Sequence, residues 1–160
     1  MVTELVHTLE ATLKFIEESL VDLSEQQMVE QPAGVPNHGT WTLGHIIFSC
    51  QGIALELGVE QWLPDDWESK FGYGSTPHTD LQSYPKKSEL LSLLADAKNR
   101  LRQAVLALNE SFLRKSLPDE TLPTMCHLLL QVVVAHTAYH AGQLAVWRRA
   151  IGKQSVAVFV

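Results

Sequence analysis

Two histidines four residues apart, His136 and His140, are the side chains of this sequence best placed to do chemistry. They lie in a long apolar run near the C-terminus that has the periodicity of a buried helix. Residues i and i+4 are neighbours on one face of a helix, so the two imidazoles can hold a single metal ion between them. A pair with this spacing also arises by chance in a chain with 7 histidines among 160 residues. The surrounding sequence therefore has to decide whether the pair binds metal.

A third histidine, His45, lies on another predicted helix, near the edge of that helix's apolar face, where it can face His136 and His140. A single buried neutral histidine that hydrogen-bonds to a backbone carbonyl or a hydroxyl is common, and this account would suffice for any one of the three. Two imidazoles side by side on an apolar face need more partners, and a shared cation satisfies both when they are neutral. The chemistry favours a metal site over three separate structural histidines.

The other polar residues near this motif have two interpretations each. Gln143 follows His140 by three positions, so it either orients a ligand or a bound water, or simply hydrogen-bonds within its own helix or to a neighbouring one. His127 projects about 180° from His136 on a helix and is predicted to lie outside the site. The remaining histidines are predicted to face solvent, although two of them lie in loops that can approach the site: His7, His38 and His78.

Four stretches with apolar residues at alternating steps of three and four predict four amphipathic helices. They run from Val6 to Leu23, from just after Thr40 to Leu57, from Leu91 to Leu108, and from about Thr124 to Ile151. Ser24 and Gln27 match a capping box that begins a short helix or turn, and Gly58 is placed to end the second long helix. These elements predict an all-α fold, a four-helix bundle with up-down-type packing, as one domain over residues 1–160.

A long crossover, residues 59–85, separates the second and third helices and contains no sustained period. Its aromatic residues argue against disorder: Trp62, Trp67, Phe71, Tyr73 and Tyr84. We expect this segment to pack over one end of the bundle, either covering the core or shaping the mouth of a pocket. The only strand-like stretch is the tail, residues 155–160.

Composition excludes several classes of function. A net charge of -6 without a basic patch disfavours nucleic-acid binding, and the N-terminus lacks the pattern of a signal peptide. No glycine-rich phosphate loop and no nucleophilic serine elbow is present. Cys50 and Cys126 are far apart in apolar segments, as expected of buried thiols in a reducing compartment. The sequence predicts a cytoplasmic protein with no membrane segment and a small-molecule substrate.

The back of the fourth predicted helix carries mainly small residues: Val134, Ala135, Ala138, Ala141, Gly142 and Ala145. Small side chains allow another backbone to come close, so this helix is expected to pack on both sides. One of those contacts is predicted to involve a second subunit, which makes the protein a homodimer.

Two motifs carry a resemblance to a known family. One is the His-x-x-x-His-x-Gly-Gln pattern at His136, His140, Gly142 and Gln143, and the other is the segment Trp41-Thr42-Leu43-Gly44-His45. Together with the turn at Ser24 and the aromatic crossover, they resemble the DinB family of four-helix-bundle proteins, which includes YfiT-like metal-dependent hydrolases. The similarity spans nearly the whole chain, and the three histidines are its specific part.

The resemblance implies one divalent ion, commonly nickel, zinc or iron, held by His45, His136 and His140, and frequently a dimer. Related members transfer small thiols such as bacillithiol or isomerise substrates with mycothiol, and others have no known reaction. Three imidazole ligands leave coordination positions open, as catalytic sites do. A metal-dependent hydrolase or thiol S-transferase is therefore expected, and the alternative is a non-catalytic metal-binding stress-response bundle or a dimeric interaction protein. An ion exposed in a pocket favours the enzyme, and a sealed ion favours the alternative.

Overall fold

The fold is built from helices, which a computed structural model describes for residues 1–154 and 156. In chain order the elements are α1 (Val2–Glu18), α2 (Glu25–Met28), α3 (Gly39–Glu56), α4 (Trp67–Phe71), a 3₁₀ turn (Leu81–Ser83), α5 (Lys87–Leu106), α6 (Glu110–Leu113), α7 (Met125–Leu129), a π-helical segment (Leu130–His136) and α8 (Thr137–Ala150). The described residues contain no β-strand, only an isolated bridge between Ser116 and Thr124. The predicted all-α class is confirmed.

Four long rods surround the core: α1, α3, α5, and a C-terminal rod that runs from α7 through the π-helical segment to α8. Helix α1 packs between α5 and the C-terminal rod, and α3 packs against the same two neighbours from the other side. The helical bundle is therefore as predicted, whereas the up-down order of the helices stays a prediction. Within the described residues, no helix is both long and apolar enough to cross a membrane. The predicted strand-like tail, residues 155–160, lies outside the described residues apart from Val156.

Helix α1 is shorter than predicted, because it ends at Glu18 rather than near Leu23. The carbonyl of Ser19 accepts a hydrogen bond of 2.8 Å from the Arg148 guanidinium on α8, so it does not continue the helical ladder. Leu23 remains buried in the turn that follows. The capping box is confirmed: the Ser24 hydroxyl accepts from the Gln27 amide N–H, and the Gln27 side chain accepts from the Ser24 N–H.

His38 was predicted to face solvent, and this prediction is wrong, because its side chain is fully buried as the N-cap of α3. Its Nδ1 accepts a 3.2 Å hydrogen bond from the Trp41 backbone N–H. Its Nε2 therefore carries the proton and donates to the His78 carbonyl oxygen at 2.9 Å. The imidazole thus begins α3 and also holds the crossover segment, while His7 and His78 themselves are exposed as predicted.

The crossover at residues 59–85 is more ordered than predicted, since it contains α4 and the 3₁₀ turn. The Gln51 side-chain oxygen on α3 accepts hydrogen bonds from the backbone N–H groups of Trp62 and Leu63, which fixes the start of the crossover. Trp67 and Phe71 of α4 are buried in the core. The segment therefore covers the bundle, one of the two roles predicted for it.

The C-terminal rod is not the continuous α-helix that the sequence predicts. Residues Leu130–His136 form a π-helical segment. Its turns are wider than those of an α-helix, so the side chains before His136 point in directions about the helix axis that differ from a count of 100° per residue. Tyr139, predicted to lie on the core face, is 62% exposed, whereas Ala141, predicted to lie on the back, is buried. Gly142 is exposed, as expected of the back face.

Candidate metal centre

The three predicted histidines come together between two rods of the bundle. His45 lies on α3, His136 ends the π-helical segment, and His140 lies in the first turn of α8. The His136 Nε2 atom is 3.1 Å from Nε2 of His45 and 3.1 Å from Nε2 of His140. One possible ligand atom from each residue lies within 4.8 Å of the others, and no cysteine or carboxylate joins this group among the described residues. The structure therefore forms the predicted cluster, and the role of its members as ligands stays a prediction.

Aromatic residues hold the ring of His45. Its Nδ1 is 2.6 Å from the backbone carbonyl oxygen of Phe71, so the ring donates from Nδ1 and presents Nε2 to the cluster. Trp41, one turn earlier on α3, stacks on the ring with centroids 4.8 Å apart and an angle of 8° between the planes. The Trp41 indole N–H donates to the Ser75 hydroxyl in the crossover. The orientation of His45 thus depends on residues of both α3 and the crossover.

A glycine on α3 allows the Phe71 carbonyl to reach His45. A Cβ atom added to Gly44 would lie 2.2 Å from two carbons of the Phe71 ring, which is well inside contact distance. The carbonyl of Gly44 accepts a 3.2 Å hydrogen bond from the Trp67 indole N–H, so α4 is also attached at this point. The role of Phe71 was not predicted from the sequence. The sequence does contain one signal for it, namely Gly44 next to a candidate ligand in a buried helix. A glycine within a helix often marks a place where another part of the chain approaches the backbone closely.

His140 is oriented by a chain of two further side chains on α8. Its Nδ1 is 2.7 Å from the Gln143 side-chain oxygen, and the Gln143 side-chain nitrogen donates to the Tyr139 hydroxyl at 2.9 Å. This arrangement requires His140 to donate from Nδ1, so its Nε2 lone pair points to the cluster. The Tyr139 oxygen then accepts from Gln143, and its own proton is free to bind a ligand. Gln143 contacts His140, and its role beside a bound metal stays a prediction. Tyr139 was not recognised as a polar residue of the site.

The three neutral imidazoles carry too few protons for both of the short contacts between their Nε2 atoms to be hydrogen bonds, and a cation fits this arrangement. His45 donates to Phe71 and His140 donates to Gln143, so in the neutral state neither carries a proton on Nε2. His136 has at most one proton on Nε2 and can donate it to only one of its two neighbours. At least one 3.1 Å contact between nitrogens then brings two lone pairs together, and a bound cation removes that repulsion. Two nitrogens at about 2.0–2.1 Å from one ion lie about 3 Å apart when their bonds make an angle of roughly 100°.

His136 differs from the other two histidines in lacking an orienting partner. Its Nδ1 atom is buried and has no hydrogen-bond partner among the described residues. The backbone that carries this ring ends the π-helical segment, a feature that occurs frequently at functional sites. The position of the His136 ring therefore depends on the local backbone and on whatever Nε2 binds.

Burial keeps the cluster neutral at physiological pH. Desolvation, with a smaller contribution from the neighbouring imidazole of His45, lowers the pKa of His136 to about 4. Desolvation also lowers the pKa of His140 to about 4, with smaller contributions from His136 and His45 and an opposing hydrogen bond to Gln143. Burial lowers the pKa of His45 as well, against the hydrogen bond to the Phe71 carbonyl. Neutral imidazoles are the form that binds metal ions.

We expect metal affinity to be nearly constant from pH 8 to about pH 5 and to fall only as pH approaches 4. Protons compete with the metal only below the pKa of the free ligands, and burial places that pKa near 4 for His136 and His140 rather than near 6.5. Titration against a competing chelator at each pH measures this dependence. Loss of affinity centred at pH 6.5 would show that the imidazoles are not desolvated.

The same shift predicts how the metal-free protein responds to acid. Below pH 6.5 the unfolded chain takes up protons on these two imidazoles, whereas the folded chain does so only near pH 4. The metal-free protein should therefore lose stability as pH falls from 6.5 to about 4, as measured by chemical denaturation at each pH.

The cluster opens into a cavity of about 350 Å³, which we call the histidine cavity. It is lined by Asn37, Trp41, His45, Tyr73, Gly74, Ser75, His136, Tyr139, His140 and Gln143. No carboxylate, lysine or arginine is among them. Tyr73, at its rim, is fully exposed, so the crossover contributes to the mouth of a pocket as well as covering the core. This is the second of the two roles predicted for the crossover.

The other predicted residues lie away from this cavity. His127 is exposed and contacts the Thr124 hydroxyl at 2.7 Å, as expected of a residue outside the site. Cys50 is buried, which raises the pKa of its thiol to about 12 and agrees with the prediction of an unreactive cysteine. Cys126 is half-buried, with its sulfur 3.6 Å from that of Met1.

Comparison with known proteins places this architecture in a family. The chain superposes on the crystal structure of a conserved protein from Enterococcus faecalis with a TM-score of 0.79 and 21% sequence identity. That match covers 96% of this chain and 98% of the other and shows a shared fold. Proteins of curated function gave no match. The family model of the DinB superfamily matches residues 8–144, which include all three histidines of the cluster. The chain therefore belongs to the DinB superfamily.

Proposed function

We propose that this protein is a metal-dependent thiol S-transferase that joins a small thiol, through its sulfur, to an uncharged electrophile. The observation that carries the proposal is the set of three neutral imidazoles at an open cavity with no fourth ligating side chain among the described residues. His45, His136 and His140 would hold one divalent ion, which can be nickel, zinc or iron because imidazole suits all three. When bound, such an ion acts as a Lewis acid that favours the thiolate form of a thiol.

The residues around the cluster suit a thiol better than water as the nucleophile. No carboxylate lines the histidine cavity, so an attacking water would find no general base there. A thiol needs less help, because its pKa of about 8.5 is already near the working pH. The Tyr139 hydroxyl, which accepts from Gln143, can donate a hydrogen bond to a leaving group. The site thus favours thiol transfer over hydrolysis.

The proposed reaction balances without a further cofactor. The thiol loses its proton to solvent, and its sulfur forms a bond to the electrophilic carbon of the second substrate. The bond from that carbon to the leaving group breaks, and the leaving group departs with the electron pair and takes up a proton. A hydrogen bond from Tyr139 would stabilise the charge that develops on the leaving group.

A hydrolase is the second candidate, and one observation favours it. His136 also lines a separate cavity of about 320 Å³, together with Ser49, Gly52, Ile53, Glu56, Leu128, Gln131 and Val132. Glu56 lies eleven residues from His45 on one helix, too far along it to act at the His45 ring. Its presence in a cavity that also reaches His136 makes its carboxylate a candidate general base. The non-catalytic alternative is less well supported, because the cluster opens into a cavity rather than being sealed.

Assays on protein of known metal content test the proposal. The chain is stripped with a chelator, reloaded separately with zinc, nickel or iron(II), and assayed with glutathione and cysteine against 1-chloro-2,4-dinitrobenzene, and with p-nitrophenyl esters. We expect thiol conjugation that requires metal, is lost in His140→Ala, and is unchanged in Glu56→Gln. Ester hydrolysis that requires both the metal and Glu56 would favour the hydrolase instead. Full metal occupancy with neither reaction would support a non-catalytic protein.

A further inference from the structure

A second cavity adjoins the histidine cavity and is mainly apolar. It has a volume of about 460 Å³, and we call it the α8 cavity because one of its walls is α8. It is lined by Gly34, Val35, Pro36, Asn37, Tyr139, Gly142, Gln143 and Val146. Asn37, Tyr139 and Gln143 line both cavities, so the two cavities adjoin at these three side chains. A molecule long enough to pass this boundary would occupy both cavities.

Gly142 keeps the α8 cavity open at a cost to its own helix. A glycine within a helix is about 1 kcal/mol less favourable than alanine. Gly39 and Gly44 have an internal reason, because a Cβ atom would clash with Trp147 in one case and Phe71 in the other. A Cβ atom on Gly142 meets nothing within 4 Å, and its backbone does not have a positive φ. No contact within the chain requires this glycine, and the space that it leaves lies inside the α8 cavity.

We propose that the α8 cavity binds the alkyl or aryl group of an uncharged substrate whose reactive atom reaches the three histidines. The part of this inference that concerns the reactive atom rests on the proposed metal-dependent function. The apolar wall of Val35, Pro36 and Val146 removes hydrocarbon from water, which is worth about 25 cal/mol per Å² of buried area. The volume lies within the roughly 300–1,000 Å³ that is usual for small-molecule sites.

The polar groups of the two cavities specify the rest of the substrate. Neither lining contains a charged carboxylate, lysine or arginine, so a charged substrate would lose hydration without gaining a counter-ion. The hydroxyl of Tyr139 lies at the junction and, because it accepts from Gln143, has its proton free for the substrate. The two cavities therefore select a substrate that carries three parts in order along the molecule. These are an apolar group in the α8 cavity, a hydrogen-bond acceptor near Tyr139, and an atom that can react at the histidines.

Matched variants on α8 test the apolar subsite directly. Gly142→Leu places a leucine side chain inside the α8 cavity, whereas Ala150→Leu places the same side chain at an exposed position on α8 that lines neither cavity. The probe is the neutral fluorophore N-phenyl-1-naphthylamine, which needs no metal. We expect the wild-type chain and Ala150→Leu to bind it with the same Kd and Gly142→Leu to bind it at least tenfold more weakly. No binding to the wild-type chain, or equal binding to all three proteins, would overturn the proposal.

A series of alkyl hydroxamates tests whether the subsite is joined to the histidines. In the metal-loaded wild-type chain, affinity should rise about three- to fourfold per methylene from acetohydroxamate to octanohydroxamate. In Gly142→Leu, acetohydroxamate should bind as in wild type and the dependence on chain length should disappear. A dependence on chain length that survives in Gly142→Leu would overturn the proposal.

Two further results separate this inference from its alternatives. If the fluorophore pattern holds and acetohydroxamate does not bind the metal-loaded protein, the apolar subsite stands and the proposed metal-dependent function fails. If light scattering shows that the wild-type chain is a dimer and Gly142→Leu is a monomer, the α8 cavity is covered by a second copy and the proposal is overturned.

Discussion

Alanine in place of His136 or His140 is expected to abolish stoichiometric metal binding. Each replacement removes one of only three candidate ligating side chains and leaves two imidazoles, which do not hold a divalent ion through dialysis. The loss should exceed the roughly 10–100-fold drop in affinity that follows removal of a residue that only orients a ligand. Elemental analysis of metal per chain after dialysis against buffered chelator measures the effect.

His127→Ala is the matched control for these replacements. His127 lies on the same C-terminal rod, is exposed, and its imidazole hydrogen-bonds to the Thr124 hydroxyl. Its replacement should leave the metal content unchanged. Equal metal content in His136→Ala, His140→Ala and His127→Ala would contradict the hypothesis that His136 and His140 bind the metal. Thermal unfolding adds a second readout, because metal should raise the Tm of the wild-type chain and of His127→Ala but not that of His136→Ala.

The metal-free state separates ligand loss from loss of folding. In the absence of metal, His136 has an unpartnered Nδ1 and two nearby nitrogens that cannot both receive its one proton. Replacing it with alanine removes these unfavourable contacts, although it also opens a small void. We therefore expect the metal-free variant to unfold at a Tm within a few degrees of the metal-free wild-type protein. A folded variant without metal is direct evidence that His136 serves the ion rather than the core.

The sequence predicted that the three histidines come together, because the spacing of residues in a helix determines which face each side chain occupies. A period near 3.6 placed His136 and His140 side by side and placed His45 near the edge of the apolar face of another helix, and the resemblance added that the three hold one ion. The same count failed for Tyr139, because a side chain at the edge of a face is exposed wherever no other element covers it. Its partner Gln143 was identified, but the direction of their hydrogen bond follows only from the contact of Gln143 with His140.

Other features had no signature in residue types. The π-helical segment adds one residue to the repeat without a glycine or proline to mark it, so periodicity predicted a continuous helix. His38 was placed in solvent because its neighbours are typical of loops, whereas its imidazole is buried as a helix cap. The backbone carbonyl that orients His45 belongs to Phe71, twenty-six residues away, and every residue has such a carbonyl. Backbone groups of distant residues become part of a site only through the tertiary fold.

Gly44→Ala is expected to damage both the fold and the metal site. Its Cβ atom would lie 2.2 Å from the Phe71 ring, and that ring is fully buried and cannot move aside without disturbing α4. Overpacking of this kind costs about 1–3 kcal/mol in the free energy of unfolding. A displaced Phe71 carbonyl would also release Nδ1 of His45, so metal affinity should fall roughly 10–100-fold.

Gly52→Ala, two turns further along α3, is the control for helix propensity. Its Cβ atom meets nothing within 4 Å, so the change should raise the free energy of unfolding by up to about 1 kcal/mol and leave metal affinity unchanged. Denaturant unfolding of the metal-free proteins and chelator competition of the metal-loaded ones measure the two effects separately. Lower stability of Gly44→Ala with wild-type metal affinity would mean that Phe71 supports the fold but does not orient His45. Loss of both, with Gly52→Ala behaving normally, would show that the close approach of the Phe71 ring to the backbone of α3 sets the geometry of the histidine cluster.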